Sequence, residues 1–200
     1  MEMAPTEPTD AELLRLAMAG DEEAFLALYG RWRAPAWRFA LATSGSREAA
    51  DDVTQEAFLI LLSEGHRYDP GRGPLGAYLR GIVRHQLRRR WRRDKRYVAL
   101  PEEVSAVRPS GETSLLDDLA RAEHVAATRR AVATLPPHYR DVIVLCDLTG
   151  VEYAEAAREL GLPIGTVRSR LARARTLLAR KLAPGSGTRG WRSLLWGWSL

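Results

Sequence analysis

Residues 153–180 read YAEAARELGLPIGTVRSRLARARTLLAR. A short helical pattern from Tyr153 to Leu160 meets Gly161, turns through Leu162 and Pro163, and enters a longer helix from about Thr166. Beyond that point every charge is positive: Arg168, Arg170, Arg173, Arg175, Arg180 and Lys181. Val167, Leu171, Ala174 and Leu178 recur at the helical period and are expected to pack inward. The pattern is that of a helix-turn-helix whose second helix enters a DNA groove. Thr166, Arg168, Ser169 and Arg170 lie near the end of that helix that reaches base edges. Arginine can pair with guanine O6 and N7 through two hydrogen bonds, and Ser or Thr reaches bases or phosphates. Arg173 and Arg175 stand further along and are expected at phosphates.

The segments upstream are helical too. A helix running to about Leu135 precedes a Pro136-Pro137 start, and a helix follows through Tyr139, Val142, Ile143 and Leu145 to a turn at Thr149 and Gly150. Before it, composition shifts. From Val98 to Ala120 the acids Glu102, Glu103, Glu112, Asp117 and Asp118 face one base, Arg108, and Pro101, Pro109, Ser110 and Gly111 break any regular element. This stretch reads as a flexible acidic linker.

A first helical domain precedes the linker. Thr9 and Glu12 can form a capping box ahead of Leu13, Leu14 and Ala17. Gly20 stops that helix and Asp21 can cap the next, on which Phe25, Leu28, Tyr29 and Trp32 share a face. Pro35 is expected to kink or break this helix before Trp37 and Phe39. Ser46 can cap a third helix carrying Val53, Ala57, Phe58 and Leu61 inward. Two prolines and two glycines between Tyr68 and Pro74 exclude a helix there, and a fourth helix follows with Leu75, Tyr78, Leu79, Ile82, Val83 and Leu87 inward.

The far end of the fourth helix is strongly basic. Nine basic residues (Arg80, Arg84, Arg88, Arg89, Arg90, Arg92, Arg93, Lys95 and Arg96) meet a single acid, Asp94. Like charges at this spacing repel, so the run needs an anionic partner, and Trp91 and Tyr97 among the charges offer faces on which unpaired bases stack. On the third helix, Asp51, Asp52 and Glu56 with Thr54 and Gln55 form an acidic group. Paired carboxylates suit acid–base work or a metal, but His66, His85, His124 and His138 are scattered, so a solvated face is the simpler reading of the residues alone.

Composition narrows the classes. The chain has 200 residues, a net charge of +5 and 46% hydrophobic residues, enough for packed cores and favouring a polyanionic partner. One cysteine, Cys146, excludes an internal disulfide and most zinc knuckles; in the run VIVLCDL it reads as a structural thiol. The acidic, Pro- and Thr-rich start does not read as a signal peptide, and no stretch approaches the ~20 apolar residues of a membrane span, so a soluble cytoplasmic protein is expected.

Four ordered segments resemble a family. GDEEAFLALYGRW (20–32), DDVTQEAFL (51–59), GPLGAYLRGIVRHQLRRRWRR (73–93), and LPPHYRDVIVL (135–145) followed by GTVRSRL (165–171) are similar to the conserved segments of bacterial sigma factors of the extracytoplasmic-function (ECF) type, in the sigma-70 family. The resemblance covers roughly Asp10 to Leu182. It implies an all-α fold of two small helical domains on a flexible acidic linker. The parts are a disordered N-terminus (1–9), a region 2-like domain (10–97), the linker (98–117), a region 4-like helix-turn-helix domain (118–183) and a Trp-rich extension (184–200).

By the same resemblance, Asp52, Thr54, Gln55 and Glu56 bind the coiled coil of the polymerase's largest subunit, where charge-assisted pairs with a partner's arginines are physically sensible. Arg80, Arg84, His85, Arg88, Arg89, Trp91 and Arg92 serve the −10 element, with the loop from Tyr68 to Pro74 forming a pocket for an unstacked base. Thr166, Arg168, Ser169, Arg170 and Arg173 read the −35 element. The implied partners are RNA polymerase core, through its largest-subunit coiled coil and its flap, promoter DNA, and an anti-sigma factor. The resemblance implies no enzymatic activity, cofactor, metal or small-molecule substrate. Four positions depart from the family pattern: Tyr78 replaces a common tryptophan, His85 a frequent asparagine beside the base pocket, Glu152 a Ser-type helix cap, and Ala156 a larger aliphatic.

Two rival readings stand beside this one. A stand-alone helix-turn-helix regulator would bind duplex DNA as a dimer and leave Asp52 to Phe58 without a role. A nucleic-acid enzyme would place a carboxylate site at Asp51, Asp52 and Glu56. The apolar tail, with Trp191, Trp196 and Trp198, suits packing on its own domain, a regulator or a membrane surface.

Overall fold

The structure is a computed structural model that describes residues 8–94 and 127–182. The linker, the Trp-rich extension, Lys95, Arg96, Tyr97 and residues 1–7 lie outside the described residues. Every regular element among the described residues is helical. The chain divides into two compact units, Met1–Ala40 with Glu48–Val98, and Leu41–Arg47 with Ala99–Leu200.

The first unit is built on α1 (Asp10–Met18), α2 (Glu22–Ser44), α3 (Arg47–Glu64) and α4 (Leu75–Asp94). Thr9 opens α1 with the expected capping box: its hydroxyl accepts from the Glu12 amide while the Glu12 carboxylate accepts from the Thr9 amide at 2.8 Å. Asp21 caps α2, accepting from the Ala24 amide at 3.0 Å. Asp10 then ties the two helices together, accepting from Arg31 at 2.6 Å and from the Trp32 indole at 3.0 Å.

Pro35 does not break α2, which runs through it to Ser44. The ring removes one amide donor to the preceding turn, yet Leu28 on one side and Ala36 and Phe39 on the other are fully buried. Packing on both flanks outweighs the single missing bond. The core joins these residues to Val53, Ala57, Phe58 and Leu61 of α3 and to Leu75, Leu79, Val83 and Leu87 of α4. Tyr29 stacks edge-on against Phe58, with centroids 4.8 Å apart. At the start of α4 the bare backbone of Gly76 lies against the Trp32 ring, where a Cβ would stand inside the indole.

Between α3 and α4 the chain makes two short 3-10 turns, Gly65–Arg67 and Pro70–Arg72. The second holds itself in shape. Asp69 accepts from the Gly71 amide at 2.9 Å and the Tyr68 hydroxyl donates to the Gly73 carbonyl at 3.2 Å.

The second unit contains α5 (helical over 127–133), α6 (Pro137–Ile143), α7 (Tyr153–Leu160) and α8 (Ile164–Leu182). Where α6 was expected to continue through Leu145, it gives way to a widened π turn, Val144–Leu148. The Thr149 amide reaches back five residues to the Val144 carbonyl at 2.9 Å. α7 is capped at its start by Glu152 with no side-chain hydrogen bond and ends on Gly161 at φ 64°, a left-handed stop only glycine adopts freely. The Leu162 amide closes that stop on the Ala157 carbonyl at 2.9 Å. α8 starts at Ile164, two residues before the expected Thr166, because the Pro163 carbonyl already accepts from the Thr166 and Val167 amides. Val167, Leu171, Ala174 and Leu178 are buried as their spacing requires.

Candidate nucleic-acid interface

α8 carries its charges off that buried stripe, not all of them in the open. Arg168, Ser169 and Arg173 are exposed, and Thr166 and Arg170 are half-buried. The Ser169 hydroxyl donates to the Thr166 carbonyl at 3.1 Å, which keeps it close to the helix backbone. Arg175 departs from its expected place at a phosphate. Its Nε and Nη2 donate to the two oxygens of Asp147 at 2.9 and 2.6 Å. That carboxylate holds the guanidinium protonated well above its usual range.

On α4 the candidate −10 residues wrap the helix. His85, Arg89 and Arg92 are exposed, whereas Arg80, Arg84, Arg88 and Trp91 are half-buried. Upstream, the Tyr68 and Tyr78 rings lie 5.6 Å apart beside the self-bonded turn.

The acidic group on α3 faces the basic end of α4. Arg90 donates to Asp52 at 2.7 Å and approaches Glu48 at 4.0 Å, while Arg89 stands 4.0 Å from Glu56. Asp51 accepts from the Trp37 indole at 2.7 Å. Asp52 and Gln55 are exposed and Glu56 is half-buried. Thr54 is only 3% exposed, so it is a core residue and not a surface contact. Leu59, which the sequence reading passed over, is 68% exposed one turn beyond Gln55. The signal was available, since residues four apart share a helix face.

Among the described residues no cluster of three His, Cys, Asp or Glu is placed to hold a metal ion, and no helix is long and apolar enough to cross a membrane. Burial pushes the Cys146 thiol up to about 11, so the thiolate is scarce at neutral pH.

A chain whose described residues are helical throughout their regular elements, with a basic helix-turn-helix in one unit and a basic helix beside an acidic face in the other, has the makings of a DNA-binding factor of the helix-turn-helix class. Residues 28–97 match Sigma-70 region 2 and residues 126–178 match Sigma-70, region 4. The chain belongs to the ECF sigma factors of the sigma-70 family. It is 38% identical over 179 residues to the ECF RNA polymerase sigma factor SigM of Mycobacterium tuberculosis strain H37Rv, covering 88% of this chain and 86% of the relative. It is 31% identical to the ECF RNA polymerase sigma factor SigC of Mycobacterium tuberculosis strain CDC 1551, covering 91% and 97%. Among solved structures it resembles the sigma factor RpoE of Bartonella quintana in complex with the anti-sigma factor NepR, with a TM-score of 0.56 and 28% identity over 75% of this chain and 91% of that one. It also resembles CnrH in complex with the cytosolic domain of CnrY, with a TM-score of 0.61 and 29% identity over 88% and 99%.

Proposed function

We propose that this sigma factor directs RNA polymerase core to promoters by docking through α3 and reading two promoter elements with α4 and α8. Asp52, Gln55 and Glu56 supply hydrogen-bond acceptors and charge for a basic partner helix, and Leu59 adds an apolar contact at its centre. Arg168, Ser169 and Arg170 read duplex −35 bases in the major groove, with Thr166 and Arg173 at the backbone. Arg80, Arg84, Arg88, Arg89 and Arg92 neutralise phosphates at the −10 element, where His85 and Trp91 meet unpaired bases. The turn from Tyr68 to Pro74, with two tyrosine rings beside it, holds a base removed from the stack, an extraction that costs a few kcal/mol. Polymerase fixes the separation of the two units, so the two readings add by geometry, without new contacts. No covalent step is involved, and the chain acts as a non-enzymatic factor.

The observation that carries this reading is the outward α3 face, Asp52, Gln55, Glu56 and Leu59, on the same chain as the helix-turn-helix. A stand-alone regulator has no use for it. The solved relatives bound to NepR and to the cytosolic domain of CnrY support a protein antagonist as a further partner. Run-off transcription with core polymerase on a genomic fragment library tests the proposal. Specific start sites that depend on the chain are expected. A chain that confers none, yet binds a duplex operator unaided, is a stand-alone regulator instead.

A further inference from the structure

Arg175 and Arg168 lie seven residues apart on α8, within roughly 20° of each other around the helix axis. Arg168 faces solvent and Arg175 faces the protein's own carboxylate. Asp147 is 6% exposed and Arg175 26%, so the pair is largely withdrawn from water. Two of the three guanidinium nitrogens, Nε and Nη2, engage Asp147, and Nη2 also reaches the Tyr153 hydroxyl at 3.4 Å. Asp147 belongs to the π turn and Tyr153 is the first residue of α7. One planar group therefore ties the π turn and the head of α7 to the middle of α8. A forked guanidinium fixes direction as well as distance, which an ammonium does not.

The widened turn is what delivers the carboxylate. Its extra residue per turn shifts the register of Asp147 relative to a continued α6, and the Val151 amide locks the exit on the Leu145 carbonyl at 2.9 Å. α8 packs on the rest of its unit through the buried side chains Val167, Leu171, Ala174 and Leu178, and apolar contacts of this kind are non-directional. A bidentate ion pair is directional.

We propose that Arg175, held by Asp147 and Tyr153, is a positioning residue that sets the roll of α8 and so decides which base edges Arg168 and Ser169 meet. This rests on the −35 reading above. Because the two arginines share nearly one line along the helix, pinning one aims the other.

The test uses the full-length chain in holoenzyme. Affinity is measured for a promoter fragment and for the same fragment with a scrambled upstream element, with the salt dependence of each. Wild type must discriminate the two; if it does not, the −35 reading itself fails. Arg175→Lys keeps the charge and the aliphatic stem, and Asp147→Asn keeps the shape, so both are expected to fold, as circular dichroism checks. Each should lower the ratio of the two affinities by about tenfold, with the double variant no worse and the salt slope unchanged. If the ratio holds while only the unfolding midpoint drops, the pair is a structural brace and the proposal is overturned. It is equally overturned if Arg175→Gln reduces the salt slope by about one while Asp147→Asn tightens both fragments, the behaviour of a phosphate contact.

Discussion

Arg90 on α4 donates Nη1 to Asp52 Oδ2 on α3 at 2.7 Å, so a carboxylate of the proposed docking face is already paired within its own unit. The pair is accessible, with 29% of the Arg90 and 56% of the Asp52 side chain exposed, and such pairs contribute only ~0–1 kcal/mol. A basic partner helix must compete with Arg90 for Asp52. Arg90→Ala should therefore raise affinity for core polymerase, in the absence of DNA, by roughly two- to fivefold. Replacing Asp52 and Glu56 together by alanine should abolish capture while the helical spectrum stays unchanged. Titration on immobilised core checks both, and unchanged capture by the double variant removes the docking assignment.

Arg168 and Arg173 differ in what they are asked to recognise. Arg168→Ala should relax sequence preference at one upstream position by ~1–3 kcal/mol, whereas Arg173→Ala should weaken all sequences alike and lower the salt slope by ~1. Competition binding with a panel of single-position promoter variants separates the two. A uniform loss for Arg168→Ala would mark it as a phosphate contact.

On the proposed reading, the basic end of α4 makes promoter binding sensitive to salt. If the run meets about six phosphates, holoenzyme–promoter affinity should fall roughly a thousandfold between ~50 and ~200 mM salt. A flat titration contradicts this.

Cys146 provides a readout of the second unit. Its thiol is raised by burial, first, and then by Asp147, from 9.0 to about 11. A raised acid favours the folded state below the unfolded value and loses that contribution as pH climbs through the folded one. The unfolding midpoint should thus decline between about pH 9 and 11, and the decline should be shallower in Cys146→Ala. Alkylation near pH 8 should be slow in the folded chain and fast after denaturation. Rapid labelling of the native chain would show the thiol to be open.

Much of this arrangement is legible in the sequence because its causes are local. Thr9 with Glu12, Asp21 and Gly161 each act within a few residues, and each does what its chemistry dictates. The misreadings have non-local causes. Arg175 looks like one more phosphate ligand until a carboxylate 28 residues earlier is brought to it by a π turn that no spacing announces. Of the kink or break expected at Pro35, the break is absent, since burial on both sides carries α2 through it. Thr54 is different, since the helical period places it with Phe58 and Leu61, both buried.

The contact of Trp32 with the naked backbone of Gly76 carries a consequence for how this protein can diversify. The indole is itself anchored through Asp10, so a side chain at Gly76 requires the Trp32 ring or the helix carrying it to shift. If α4 reads the −10 element as proposed, new −10 preferences are more readily reached by exchanging side chains along it than by substituting the glycine at its head.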